Sequence, residues 1–224
     1  MPVVRRAGFV ALAIALPVTH LATTGCGAHR SAEATPTQRL AAAALSEAEV
    51  PAGYLPAENA AMFRGLRPAD PDCRALFALA AATAPTLGAV PRVDTSFYQV
   101  DPGGWVAEHL LLAAPVPAHA FLLDLRRAAA GCDRIALRAE AYTMSLRRAP
   151  LPVRGIGEES YTVRYAGWAG GRHRFHLDIV TARPAGRLLV LTAETLLSPR
   201  KTHDVAGRIA ERAVGKLRVA ASIG

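Results

Sequence analysis

Two neighbouring stretches decide the fold that this sequence predicts: SYTVRY at residues 160–165 and RHRFHLDI at residues 172–179. In both, apolar and polar side chains alternate, which is the pattern of a β-strand with one packed face and one polar face. The glycine-rich residues 167–171 between them predict a turn, so we expect the two strands to pair antiparallel. The packed face is expected to carry Tyr161, Val163, Tyr165, His173, Phe175, Leu177 and Ile179.

Further strand patterns lie on both sides of this pair. Residues 93–112 predict a β-hairpin that turns at residues 101–104 (DPGG), and single strands are expected within residues 134–139, 142–149 and 188–193. The turns between neighbouring strands are short, which favours antiparallel pairing throughout.

Helical patterns separate and close these strands. Helices are expected within residues 38–49, from Asp70-Pro71 to about Pro85, from Pro115 to Gly131, and from Ser198-Pro199 onward. The sequence therefore predicts an α+β fold: an antiparallel sheet of about six or seven strands flanked by helices, which we place on one face of the sheet.

Glu108 interrupts the apolar side of the predicted hairpin's return strand, which Val106, Leu110 and Leu112 otherwise form. A carboxylate on a packed face is unusual. We interpret Glu108 as a residue at a strand edge or facing a cleft, rather than as a catalytic group.

The first residues are typical of an export signal. Arg5 and Arg6 precede an uncharged, mostly apolar run at residues 7–21, and small residues follow in front of Cys26. The apolar run is shorter than the roughly 20 residues that a membrane-spanning helix needs, so we expect the segment to be removed.

Cys26 and the residues before it resemble the lipobox of bacterial lipoproteins, in which the cysteine becomes the first residue and carries lipid. Thr23 departs from that pattern, which has Leu, Val or Ile at this place. The alternative is ordinary secretion, with cleavage near Ala28. The first interpretation gives a signal peptide at residues 1–25, a flexible tether at 26–37 and one folded domain at 38–224, anchored on the outer face of the cytoplasmic membrane.

The chain has a formal net charge of +8, and its basic residues are nearly all arginine. Its aromatic residues are few and are not interleaved with a basic run, which argues against a nucleic-acid partner. A weak attraction to anionic lipid or wall polymer is compatible with this charge.

With Cys26 set aside for lipid, Cys73 and Cys132 remain as the two cysteines that can pair. An oxidising compartment favours a bridge between them, and a metal site needs more ligands than these two. We expect a structural disulfide that ties the start of the second helix to the end of the third.

Several motifs together resemble the PknH-like extracellular sensor domain of actinobacterial lipoproteins, over residues 40–220. The motifs are the lipobox, LSEAEVPAGY at residues 45–54, Cys73 at a helix start, Gly131-Cys132 at a helix end, GIGEES at residues 155–160 and the alanine-rich last helix. The family is named after the outer domain of a mycobacterial serine/threonine protein kinase.

The resemblance implies an antiparallel sheet flanked by helices, with a cleft for an unidentified small ligand. The kinase's own outer domain has two disulfides, whereas only Cys73 and Cys132 are available here. No kinase sequence follows, so the resemblance implies a separate membrane signalling protein as partner.

The polar sides of the two opening strands carry Arg164, Arg172, Arg174 and His176. Antiparallel pairing brings these side chains onto one sheet face, where guanidinium groups can hold a carboxylate or phosphate. The alternative is a solvated outer face, which is the default for exposed charge.

Other chemistry has weaker support. Ser160 follows Glu158 and Glu159, but no Gly-x-Ser-x-Gly elbow indicates an activated serine. His173 and His176 are three residues apart on a strand, so they point to opposite faces and do not share a metal ion.

The function that we infer from the sequence is a lipid-anchored, extracytoplasmic, sensor-like domain that binds a small anionic or envelope-derived ligand, without catalysis, metal or cofactor. A docking protein of the envelope without a ligand is the second hypothesis, and a hydrolase is the third.

Overall fold

One antiparallel sheet of eight strands lies at the centre of the described chain. The computed structural model describes residues 34–57, 68–83, 87–101, 103–138, 143–153, 155–169, 173–197 and 205–222. The strands are β1 (Leu55–Pro56), β2 (Arg92–Gln99), β3 (Gly104–Leu111), β4 (Arg134–Arg138), β5 (Thr143–Ala149), β6 (Ser160–Ala169), β7 (His173–Ala182) and β8 (Leu188–Leu197). The helices are α1 (Pro36–Ala43), a 3-10 turn (Glu47–Glu49), α2 (Pro71–Ala80), α3 (Pro115–Gly131) and α4 (Val205–Ser222).

The strand order is β1-β2-β3-β8-β7-β6-β5-β4, and every neighbouring pair is antiparallel. The predicted α+β class, the hairpin β2–β3 and the pairing of β6 with β7 are confirmed. The sheet has more strands than we expected because the two residues of β1 pair with Tyr98 and Phe97 at its edge.

The predicted turn at residues 167–171 is wrong in part. β6 continues through Ala169, so Gly167 and Trp168 are strand residues. Glycine is required at 167 for another reason, because a Cβ there would lie 2.0 Å from the Ser145 carbonyl oxygen of β5. His173, which we expected on the packed face, is exposed where β7 begins.

Local capping fixes the starts of α1 and α2. The Thr35 hydroxyl accepts the Gln38 N–H, while the Gln38 side chain accepts the Thr35 N–H, so α1 begins at Pro36, within the predicted tether. The Asp70 carboxylate accepts the N–H groups of Asp72 and Cys73 at the start of α2. The helix expected over residues 38–49 is instead α1 followed by the 3-10 turn. The cap expected at residues 198–199 lies outside the described residues.

The helices cover both faces of the sheet, so our prediction of helices on one face is wrong. Helices α2 and α3 pack on one face, and α1 and α4 pack on the other. The β8 strand shows why, since Leu188 and Val190 face the first pair while Leu189 and Leu191 face the second. Such a run is apolar on both sides, so it predicts a central strand but not which helix covers which side.

A disulfide joins Cys73 to Cys132, with their Cα atoms 4.9 Å apart, which confirms the predicted bridge. The Tyr165 hydroxyl donates to the Cys132 carbonyl oxygen at 2.7 Å, so the end of α3 is also held to β6. The bridge and this hydrogen bond fix the α2–α3 layer against the sheet.

Glu108 is not at an edge or in a cleft. Its strand β3 lies between β2 and β8, and Glu108 is 1% exposed beneath α1 and α4. The Leu45 N–H and the Thr95 hydroxyl both donate to its Oε2 atom, at 2.8 and 2.9 Å. Its Oε1 atom is buried and has no hydrogen-bond partner in the described chain.

Charged groups of the α1–α4 layer surround this buried carboxyl. Lys216 donates to the Ala44 carbonyl oxygen and to Glu49, at 2.5 and 2.7 Å. Burial raises the pKa of Glu108 to about 7, against the hydrogen bonds from Leu45 and Thr95 and the charge of Lys216, which lower it. Burial opposes ionisation of Glu49 as well, but its bonds to Lys216 and Ser46 bring its pKa below the usual value.

None of the helices among the described residues combines the length and the apolar character that crossing a membrane requires.

Candidate anion-binding face

Strands β6 and β7 bring three of the predicted site residues together. In their register Arg164 pairs with Asp178, Ala166 with His176, and Trp168 with Arg174. Since side chains alternate along a strand, Arg164, Arg174 and His176 share the face of the sheet that α4 partly covers. Arg172, the fourth predicted residue, lies outside the described residues.

Arg164 forms an ion pair with Asp178 on the neighbouring strand. Its Nε and Nη2 atoms donate to the two carboxylate oxygens of Asp178, at 2.6 and 2.7 Å. The two side chains are only 14% and 3% exposed. This bidentate pair keeps a buried carboxylate neutralised, and it leaves Arg174 and His176 as the predicted groups that face outward.

Arg174 is exposed and lies over the indole of Trp168, with its guanidinium carbon 5.7 Å from the ring centroid. A guanidinium at this distance is attracted by the π-face of the ring. Trp168 is itself 49% exposed, which is unusual for so large an apolar side chain. The pair offers a cation beside an accessible aromatic surface.

His176 is half-buried beside these groups. Burial lowers its pKa, and the nearby charge of Arg164 lowers it further, while the Asp178 carboxylate acts in the opposite direction. The imidazole is therefore neutral near neutral pH, when it can donate one hydrogen bond and accept another.

Two arginines that the sequence reasoning missed extend the same face. Arg134 of β4 and Arg147 of β5 are opposite each other in the register, and both are exposed. Arg147 pairs with Ala166 of β6, which places these two residues in one row with His176. Their neighbours Ile135 and Leu146 point into the α2–α3 core, so the arginines point to the other side.

We call this surface the basic face. It consists of Arg134, Arg147, Trp168, Arg174 and His176. Between them lie the small side chains of Ala136, Ser145 and Ala166. These short side chains leave room between the long cations, above strands β4 to β6.

Sequence periodicity contained a signal for Arg134 and Arg147, since each alternates with an apolar residue in a predicted strand. The alternation does not reveal the strand order, so it could not predict that β5 lies beside β6 and β4 beside β5.

A hydrolytic site is not assembled around Ser160. His119 contacts Glu159, with 3.0 Å between Nδ1 and Oε2, and Glu159 also pairs with Arg126 and Arg183. Within the described chain no hydrogen bond joins the Ser160 hydroxyl to His119. An acid–histidine pair without an attached nucleophile does not make a serine hydrolase.

A second acid–histidine pair has a structural role. His109 Nδ1 is 2.8 Å from Asp94, and Arg92 lies beside both while donating to the Ala81 and Ala82 carbonyl oxygens that follow α2. This network ties the C-terminal end of α2 to the sheet. Among the described residues, no group of three or more His, Cys, Asp or Glu side chains has a metal-binding arrangement.

A shallow depression of about 430 Å³ lies where β5 ends beside the start of β6, lined by Arg148, Leu151, Tyr161 and their neighbours. Its size suits a small ligand, although its openness to solvent gives little enclosure. The basic face carries more of the groups that recognise an anion.

Comparisons with known proteins identify the fold. No family model matches the chain, and no curated protein matches it in sequence. Among solved structures, the extracellular domain of PknH from Mycobacterium tuberculosis is similar, with a TM-score of 0.60 and 18% sequence identity. The similarity covers 83% of this chain and 97% of that domain, so the chain has a PknH-like fold.

Proposed function

We propose that this protein is an extracytoplasmic, sensor-like domain that binds an anionic ligand of the cell envelope. The observation that carries the proposal is the similarity to almost the whole length of the PknH extracellular domain. The Cys73–Cys132 disulfide supports it as well, because such bridges persist in oxidising compartments. The basic face supplies the groups for an anion.

We further propose that Cys26 anchors the protein to the outer face of the cytoplasmic membrane. The charged start, the apolar run and the small residues before Cys26 support this address. We also propose that a separate membrane signalling protein receives the signal.

The anchor is tested by growing cells with radiolabelled palmitate and comparing the wild-type chain with the Cys26→Ser variant. The wild type should take up label and fractionate with membranes, whereas Cys26→Ser should take up none and appear in the soluble fraction. Thr23→Leu, which supplies the usual lipobox residue, is the matched control and should keep the label. A Cys26→Ser protein that fractionates like the wild type would contradict the anchor.

Ligand binding is tested by native mass spectrometry of protein extracted gently from its own envelope. A co-purifying mass that is absent after Arg174→Ala would support the proposal. If the protein carries no ligand under even the mildest extraction conditions, the hypothesis of an envelope docking protein without a ligand would be favoured over the sensor.

A further inference from the structure

The basic face holds two adjacent arginines whose charges are not balanced by an acidic side chain in the described part of the chain. Arg134 and Arg147 are direct cross-strand neighbours, and like charges in that position repel and destabilise a sheet. Neither guanidinium has an ion-pair partner among the described residues. An anion between them would convert the repulsion into two charge-assisted hydrogen bonds.

The face is too wide for one small anion. Neighbouring strands are about 4.8 Å apart, so β4 and β7 are separated by roughly 14 Å, and Arg134 and Arg174 also lie on different rows. The Arg174 guanidinium lies over Trp168, whose partner on β5 is Ser145 and not Arg147. Charges at both ends of the face therefore call for an extended ligand with repeated negative groups.

The centre of the face suits a sugar chain. Arg174 lies over one side of the Trp168 indole, but the side chain is still 49% exposed, and the C–H face of a sugar ring can stack on the exposed part. Ser145, opposite Trp168 in the register, offers a hydroxyl. The short side chains of Ala136 and Ala166 leave the sheet open to a flat chain lying across it.

A lipid surface fits less well. Amphipathic surfaces that enter a bilayer present a broad apolar area, whereas Trp168 is the one exposed large apolar side chain that the described part of this face contains. The arginines surround it instead of lying on an opposite side.

From these features we propose that the basic face binds an acidic polysaccharide, a sugar chain with repeated carboxylate or phosphate groups, across strands β4 to β7. Arg134 and Arg147 hold one acidic group, Arg174 holds another, and Trp168 stacks on a sugar between them. The inference deepens the proposed envelope function by naming the ligand class, but its test does not depend on the Cys26 anchor.

The test measures binding of short polygalacturonate oligosaccharides to the full chain in mild detergent, by calorimetry at low and at moderate salt. The wild type should bind, and affinity should fall as salt rises. Arg134→Ala, Arg147→Ala and Arg174→Ala should each weaken binding about fivefold to tenfold, as expected for loss of one hydrogen-bonded charge. Trp168→Ala should weaken it by a similar factor while leaving the salt dependence unchanged.

Arg127→Ala is the matched control, because Arg127 is an exposed arginine on α3, on the other side of the sheet. It should bind like the wild type. Fully methyl-esterified oligosaccharides, which keep the sugars and lack the charge, should not bind. Thermal melting of each variant separates loss of the ligand contact from loss of the fold, and Arg134→Ala should melt no lower than the wild type.

Three results would overturn the proposal. In the first, the Arg134→Ala/Arg147→Ala double variant binds the oligosaccharide as tightly as the wild type. In the second, galacturonate monomer or inorganic phosphate competes as strongly as the oligosaccharide. In the third, the protein binds phosphatidylglycerol vesicles and not the oligosaccharide. The second result would indicate a small-anion site and the third a membrane surface. Each can occur whether or not palmitate labelling supports the anchor.

Discussion

Arg164 and Arg174 lie on neighbouring strands and on the same face of the sheet, but they contact different kinds of side chain. Arg164 holds both oxygens of a buried Asp178, whereas Arg174 is exposed above Trp168. Alternation along the strands predicted their shared face. It did not predict the ion pair, because the partner of an arginine depends on the register between β6 and β7.

We expect Arg164→Ala to lower the free energy of unfolding by about 3–5 kcal/mol, since it removes the bidentate partner of the buried Asp178 carboxylate. Arg174→Ala should lower it by less than about 1 kcal/mol, as for other exposed charges. Urea denaturation of both variants measures the difference. The double variant Arg164→Met/Asp178→Leu should recover most of the loss, and equal losses in the two single variants would contradict this account.

Glu108 makes stability depend on pH. Its pKa in the folded protein is about 7, against an ordinary value of 4.5, so the folded state binds the proton more tightly than the unfolded state. The contribution of the protonated Glu108 carboxyl to the free energy of unfolding is therefore fully present below pH 4.5, and it is lost as the pH rises through 7. The shift corresponds to about 3 kcal/mol.

Glu108→Gln keeps an acceptor for Leu45 and Thr95 but does not titrate. We expect its stability relative to the wild type to improve by about 3 kcal/mol between pH 4 and pH 8.5, as measured by urea denaturation at both values. Histidines contribute equally to the two proteins and cancel in this comparison. An unchanged difference between the two pH values would assign the titration to another group.

At the scale of elements, the α2–α3 layer depends on its covalent link. Cys73 and Cys132 are separated by 59 positions, and a loop of that length predicts a loss of about 4 kcal/mol when the bridge is removed. The Cys73→Ser/Cys132→Ser variant should unfold at a clearly lower temperature than the wild type. Reductant should lower the melting temperature of the wild type towards that of the variant, and it should leave the variant unchanged.

The start of α2 and the two ends of α3 were the most predictable features, and the layer arrangement was the least. Asp70-Pro71 and Gly131-Cys132 mark helix boundaries through local chemistry that a sequence displays. The placement of α4 opposite α3 depends instead on which side of β8 each apolar stripe meets. Both sides of that strand are apolar, so periodicity alone allowed helices on one face or on both.

For the whole molecule, the shared sheet should make its two apolar cores unfold together. Leu125 of α3 and Ile209 of α4 are buried on opposite sides of the same strands. Leu125→Ala and Ile209→Ala should each cost about 2–5 kcal/mol, and each variant should still show one transition. Tryptophan fluorescence and far-ultraviolet circular dichroism should give coincident curves, whereas a separate transition for one core would show that the layers are independent.

Strand β8 is the last in the chain and yet lies between β3 and β7. Until it is present, the hairpin β2–β3 and the meander β4–β7 have no common partner, so a growing chain holds two incomplete sheets. The pairing of β8 with β3 joins residues that are far apart in the sequence. Because such long-range contacts form slowly, we expect the complete sheet to form late and folding to be slow. In the export that we propose for this protein, such a delay is useful, because a translocation pore accepts an unfolded chain and the sheet then closes on the far side.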